Sequence, residues 1–286
     1  MTFFRSIEVD IFKWLDGDVF GLDDDRKVFT DLFEYLPKKN ATIEQGHTVA
    51  AARNANRNWE LTGQKADDIN VTHGGGVCGA QLQTTDAVND QMIIQPHLDE
   101  KTAIASHIFT TNDEPLWRCS IVTDTDVTNM IMWTGLKKTN TPEMTDTDQI
   151  YFIYCTSSSS PWGDLASYTN WNIVYSINGV KYITDTQVKV ESNMLYILKL
   201  RIDDERRVSC TIRKKGKSAS GVVIDANHTH IELNVPSPGT TAPKSAPLKS
   251  GEEVTPFVGV QTLVAVKKTM HLTDVRLGRN KILAYV

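Results

Sequence analysis

The sequence has little of what marks several large classes of protein. Its four cysteines, Cys78, Cys119, Cys155 and Cys210, are far apart and form no C-x-x-C pair, which argues against a zinc site and against a dense disulfide framework. No apolar run approaches the roughly 20 residues that span a bilayer, and the N-terminus carries acids where a signal peptide has an apolar stretch. We therefore expect buried reduced thiols, a cytosol-like compartment and no membrane contact.

The sequence also has fewer positively charged residues than negatively charged ones. The 30 Lys and Arg residues are outnumbered by 35 Asp and Glu residues, which gives a net charge of −5. Because affinity for nucleic acid comes mainly from clustered Lys and Arg, this balance argues against a nucleic-acid partner. The 286 residues are otherwise ordinary for a globular protein, with 40% hydrophobic and 23% charged residues, so we expect one large folded domain with an extension.

Most of the chain has the pattern of short β-strands. From Trp59 onward, runs rich in β-branched and aromatic residues alternate with clusters of Thr, Asn, Asp and Gly, as in an antiparallel sandwich. In the run 194–202, Leu198 and Leu200 share one face, which we expect to be buried in the core. Lys199 lies on the opposite face, which we expect to be exposed to solvent. Asn178-Gly179 predicts a type I′ hairpin, because both central residues of that turn need positive φ.

The first fifty residues have a different pattern. Asp23-Asp24-Asp25 precedes an apolar repeat at helical spacing, and Pro37 ends it. The repeat consists of Val28, Phe29, Leu32, Phe33 and Leu36. It predicts a short amphipathic helix whose apolar face must be buried against something, so we interpret residues 1–50 as an N-terminal arm that docks on a partner. Residues 51–286 are then the sandwich, interrupted by a proline-rich loop at 235–251.

Seven segments, taken in their order along the chain, carry a resemblance to a known family. They are Asn58–Gly63, Asn89–His97, Trp133–Lys137, Thr145–Phe152, Trp171–Gly179, Tyr196–Arg207 and Thr255–Gln261. In this order they resemble the concanavalin-A-like lectin/glucanase jelly-roll domains of tailed-phage structural proteins. Residues 1–50 have no part in the resemblance.

The resemblance implies a mostly β protein of two curved antiparallel sheets, a place on the virion and no catalysis. Together with the N-terminal arm, which we expect to be short and partly helical, it predicts a capsid decoration or cement protein, or a surface appendage. Such a protein is made in the host cytoplasm, docks onto capsid or other virion proteins, and forms a homo-oligomer, for which a trimer is one option.

Glucanases that share this sandwich place the carboxylates of an E-x-D-x-x-E motif on one face of a strand. The nearest match is Glu8-Val9-Asp10-Ile11-Phe12-Lys13, which has lysine in place of the acid and lies outside the resembling region. We therefore predict no enzyme and keep an inactive or divergent glucanase as a third interpretation. His228 and His230 share a face of an extended segment but have no third ligand at a recognisable spacing, so no metal or cofactor is predicted.

A carbohydrate-binding module for host recognition is the alternative function. Lectin sites pair a stacking aromatic ring with Asp and Asn hydrogen-bonding groups, and a loop rich in aromatic residues offers both. Its candidate residues are Trp162, Asp164, Tyr168 and Trp171. Trp171 leads into a predicted strand, so local packing is the competing interpretation for its ring.

Overall fold

A computed structural model describes residues 28–31, 59–63, 70–73, 80–96, 109–137, 147–158, 165–217, 223–231, 233 and 247–279. These residues form sixteen β-strands and one short 3-10 turn, Thr111–Asp113. In chain order the strands are β1 (Val28–Asp31), β2 (Trp59–Gly63), β3 (Asn70–His73), β4 (Ala80–Gln83), β5 (Gln91–Pro96), β6 (Phe109–Thr110), β7 (Pro115–Thr123), β8 (Met130–Lys137), β9 (Gln149–Cys155), β10 (Asn170–Ile177), β11 (Val180–Lys189), β12 (Met194–Ile202), β13 (Val208–Lys217), β14 (Val223–Ile231), β15 (Glu253–Thr262) and β16 (Thr269–Arg279).

The strands make two antiparallel sheets. Sheet A has the order β14, β13, β12, β7, β16, β4, β3, and β1 pairs with β16 beyond the end of β4. Sheet B has the order β11, β10, β9, β8, β15, β5, β2, and β6 also pairs with β15. Neighbours distant in sequence, such as β7 with β16, require long crossovers between the sheets, as in a jelly roll. The predicted fold class, a mostly β concanavalin-A-like sandwich, is confirmed.

Alternating side chains of both sheets fill the space between them. In β7, Trp117, Cys119 and Ile121 belong to the inter-sheet core and are 0% exposed. The Trp117 indole Nε1 donates a hydrogen bond of 3.0 Å to Thr134 Oγ1 of β8 in the facing sheet. A buried N–H without an acceptor costs about 1–3 kcal/mol, so this bond fixes one sheet against the other while it satisfies a buried donor.

The predicted hairpin between β10 and β11 is present. Ile177 pairs with Val180, and the two residues between them have φ angles of 49° at Asn178 and 80° at Gly179. Positive φ at both positions is the requirement of a type I′ turn, whose twist matches that of the strands it joins. The Asn-Gly signal therefore sets the register of this pair of strands.

The described part of the N-terminal arm corrects the helix prediction. Val28–Asp31 form strand β1, in which Val28 pairs with Gly278 and Phe29 with Leu277 of β16. The edge of β16 beyond β4 carries backbone groups that need partners, and Val, Phe and Thr favour strands, so pairing outweighs the helical spacing. The other residues of the predicted helix, Leu32, Phe33 and Leu36, lie outside the described residues.

Two glycines of sheet B are held in close approach, Gly259 to the ring of Trp133 and Gly135 to the backbone of the neighbouring strand β9. Gly259 of β15 pairs with Trp133 of β8, and a Cβ atom at Gly259 would lie 2.3 to 2.7 Å from three atoms of the indole ring. Gly135 pairs with Tyr151, whose Cα atom would be 2.4 Å from an added Cβ. Glycine is therefore required at both positions by close approach.

Replacing Gly259 by alanine should destabilise the protein by about 1–3 kcal/mol, because the new methyl group overpacks the Trp133 ring. The measurement is the urea unfolding midpoint. In a Trp133→Leu background, which removes the ring, the same Gly259→Ala change should lose much less stability. Equal losses in both backgrounds would contradict the packing of the ring on Gly259.

Candidate functional site

The outer face of sheet B, which is the face directed away from sheet A, carries an aromatic band. Its rings are Trp133 of β8, Tyr151 of β9 and Phe257 of β15, all of which belong to a cluster separate from the inter-sheet core. The Tyr151 and Phe257 rings meet edge to face with centroids 5.6 Å apart. Lys137 Nζ lies 5.4 Å from each of these two ring centroids, within the range of cation–π attraction.

Strand alternation places these residues together. In β9, Ile150, Phe152 and Tyr154 point into the inter-sheet core, so Gln149 and Tyr151 point outward. Sequence analysis missed this site, since it assigned these strands to ordinary packing. A signal was available in the sequence, because the outward positions of the adjacent strands β8 and β9 include bulky rings, a glycine and polar residues.

The outer face of sheet B is closed. Trp133, Tyr151, Lys137 and Gln149 are all 0% exposed, and Phe257 is 1% exposed. Sheet B is therefore buried on both faces in its central strands. An open sugar cleft would leave such rings exposed.

Gln149 and Trp133 on this face carry polar atoms that have no hydrogen-bond partner. They are the Oε1 and Nε2 of Gln149 and the indole Nε1 of Trp133. Asn172, an outward residue of the adjacent strand β10, differs, since its Nδ2 donates to Ser167 O at 2.7 Å and its Oδ1 accepts from Ser167 N at 2.9 Å. Buried polar groups are normally paired, so Gln149 and Trp133 provide unused hydrogen-bonding capacity.

Of the four predicted glycan-binding residues, Tyr168 and Trp171 are described, and they lie in different clusters. Trp162 and Asp164 lie outside the described residues. Trp171 is 0% exposed in the inter-sheet core, where its ring lies 5.8 Å from that of Tyr196, so it is not available for stacking on a sugar. Tyr168 is partly exposed and packs against the outer-face cluster of sheet B.

Three cysteines have the environment expected of inert thiols. Cys119, Cys155 and Cys210 are buried thiols that form no disulfide bond. Burial raises the pKa of the Cys155 thiol and raises that of Cys210 well above its usual range, because the thiolate would be desolvated. Cys78 lies outside the described residues.

The described residues contain no group of three His, Cys, Asp or Glu side chains able to hold a metal ion. Among the described residues there is also no helix with the length and apolarity needed to cross a membrane.

Comparisons with known proteins support the fold alone. No protein-family model matches the chain, and no curated protein matches it. Among solved structures, a protein of unknown function from Shewanella oneidensis MR-1 is similar with a TM-score of 0.50 and 11% identity, covering 91% of this chain and 89% of that one. The similarity extends over most of both chains, so it concerns the whole sandwich.

Two further structures are similar at lower scores. One is a family 16 glycoside hydrolase endo-glucanase from Bacteroides ovatus, with a TM-score of 0.47 and 11% identity over 87% of this chain and 99% of that one. The other is the exoplasmic/lumenal domain of VIP36 in its Ca²⁺/Man3GlcNAc-bound form, with a TM-score of 0.43 and 8% identity over 87% and 92%. At these scores and identities they support no statement about activity or ligand. The chain is a concanavalin-A-like β-sandwich.

Replacing Gln149 by methionine, which has a similar shape, should stabilise the protein by about 1 kcal/mol, because it removes a buried amide that has no partner. The matched control is Asn172→Leu in the next strand, which should destabilise by about 2 kcal/mol because it leaves Ser167 N unpaired. Chemical denaturation measures both. If Gln149→Met destabilises as the control does, the amide has a partner in solution.

Proposed function

We propose that this chain is a non-enzymatic structural protein whose sandwich is a packing scaffold. The observation that carries the proposal is the closed outer face of sheet B, where tightly packed side chains occupy the area that an open cleft would need. Within the aromatic band, the Trp133 ring lies directly against Gly259 and fills the space that a side chain at that position would take.

The outward residues of the central strands support the same proposal. Glycoside hydrolysis needs two carboxyl groups about 5–9.5 Å apart across the sugar. Where β8, β9, β10 and β15 pair with one another, their outward positions carry Ile131, Trp133, Gly135, Lys137, Gln149, Tyr151, Ile153, Cys155, Asn172, Val174, Ser176, Thr255, Phe257, Gly259 and Gln261. These residues carry no carboxyl group, and an outward carboxylate next to this stretch is Glu253, at the start of β15 where it pairs with Thr110.

The specific role that we propose is on a phage virion, as a capsid decoration or cement protein or a surface appendage. Its support is the ordered resemblance of the seven segments. In this proposal the protein docks on capsid proteins and forms a homo-oligomer through the apolar residues of the N-terminal arm. Val28 and Phe29 of that set lie in β1, which brings the arm to the edge of sheet A.

Replacing Phe33 and Leu36 together by serine should convert the oligomer to monomers while the sandwich stays folded, because the changes leave β1 intact and remove two large apolar side chains of the arm. Light scattering after size exclusion gives the mass, and the thermal midpoint reports folding. Val88, which is 57% exposed, provides the control Val88→Ser with unchanged mass. A monomeric wild type, or an oligomer in both variants, would rule out docking through the arm.

Carbohydrate recognition is the second candidate, and Tyr168 is the observation that favours it. Its ring is partly exposed and packs against the outer-face cluster of sheet B, and the backbone of the preceding residue, Ser167, is hydrogen-bonded to the side-chain amide of Asn172. A ring close to amide groups is the combination that sugar-binding sites use. In this proposal a saccharide stacks on Tyr168.

Tyr168→Ala should abolish binding on a glycan array if the protein recognises sugars, because it removes the stacking ring without disturbing the inter-sheet core. Tyr168→Phe keeps the ring and should retain most of the signal. Thermal unfolding confirms that both variants fold. An intact protein that binds no glycan on the array, or equal binding by both variants, would eliminate this candidate.

A further inference from the structure

The turn between β10 and β11 contains a reactive pair of residues, Asn178 and Gly179. Asparagine followed by glycine occurs once in the sequence, and both residues of the pair are exposed. The backbone nitrogen that follows an asparagine can attack the side-chain amide carbon of that asparagine, and glycine hinders this attack least because it has no Cβ. A Cβ atom at Gly179 would meet nothing within 4 Å, so the space around the attacking nitrogen is open to water.

The attacking nitrogen is held by a hydrogen bond in the folded chain. Gly179 N donates to Thr147 O, just before β9, at 2.8 Å, and Ser176 Oγ donates to the same carbonyl oxygen at 3.2 Å. The nitrogen must lose its proton before it can attack, and a hydrogen bond that it donates stabilises the protonated form. The bond to Thr147 O therefore opposes the reaction for as long as the turn stays closed.

Two other asparagines of the chain provide an internal comparison. Asn129 and Asn193 are exposed and have φ angles of 49° and 54°, close to the 49° of Asn178. Each is followed by a methionine that is 0% exposed, Met130 and Met194, respectively. The three asparagines thus share a left-handed backbone and exposure to water, and they differ in the residue that follows.

We propose that Asn178 is a site of spontaneous deamidation and that the hydrogen bond from Gly179 N to Thr147 O limits the reaction rate in the folded protein. After Gly179 N gives its proton to water or hydroxide, it forms a bond to Asn178 Cγ. The Cγ–Nδ2 bond then breaks, and the nitrogen takes up a proton and leaves as ammonia, so that a cyclic imide remains. Water opens the imide at either carbonyl and gives aspartate or isoaspartate, with no change of oxidation state. This proposal does not rest on the proposed function.

The two products affect the hairpin differently. Isoaspartate leads the main chain through the side-chain carbons and so adds an extra backbone atom to the turn. The two-residue type I′ geometry no longer fits, and Ile177 loses its register with Val180. Aspartate keeps the length of the main chain, and Asp-Gly is also a favoured pair for this turn. The isoaspartyl product is therefore expected to loosen β11, which is the end strand of the described part of sheet B.

The test follows each asparagine of the full chain by peptide mapping and mass spectrometry during incubation in mildly alkaline buffer, with and without denaturing urea. In urea, Asn178 should convert about tenfold faster than Asn129 and Asn193, because glycine follows it. Gly179→Ala should remove most of this difference in urea, where the variant does not need to fold. In native buffer, conversion at Asn178 should be about tenfold slower than in urea, because the turn must open first.

The stability of the products provides a second measurement. After refolding, the isoaspartyl form should have a lower urea unfolding midpoint than the unmodified chain, whereas Asn178→Asp should stay close to it. The modification site is overturned if Asn178 converts no faster in urea than Asn129 and Asn193. Equal rates at Asn178 in native buffer and in urea would overturn the restraint by Thr147 O, and an unchanged midpoint of the isoaspartyl form would contradict the effect on the hairpin.

Discussion

Burial of sheet B on both faces is the constraint on which the rest of the structure depends. One face of β8 and β9 packs against sheet A, where the Trp117 to Thr134 hydrogen bond joins the two layers. The other face carries Trp133, Tyr151 and Phe257 in a second closed cluster. A sheet that is buried on both faces excludes water from its central strands, so these strands form an internal layer.

This constraint separates the chemistry of the two sheets. The outer face of sheet B is closed by the aromatic band, in which the Trp133 ring lies against Gly259 and Lys137 Nζ lies over the rings of Tyr151 and Phe257. In sheet A, Arg118 of β7 instead pairs with Lys199 of β12 and with Arg276 of β16.

The sequence predicted the sandwich well, because period-two alternation is a local signal. The Asn178-Gly179 hairpin and the buried face of β12 are as expected. Short strands were missed where pairing with a distant partner creates them, as β1 on β16 does at Val28–Asp31. The helical spacing of a few apolar residues could not reveal that part of the edge of β16 is left unpaired by β4 and is available to pair with these residues.

The candidate site was harder to predict, because alternation gives the face of a side chain and does not give its burial. Lys199 was expected to face water, yet it is 9% exposed. Trp171 was a candidate sugar-stacking residue, and its place between the sheets assigns it to the core. The most direct test of the closed outer face of sheet B is fluorine NMR of the chain labelled with 5-fluorotryptophan, with the Trp133 signal assigned by Trp133→Phe. The account predicts no solvent isotope shift for Trp133 between H2O and D2O, as for the core residue Trp117, and a shift typical of an exposed indole would contradict it.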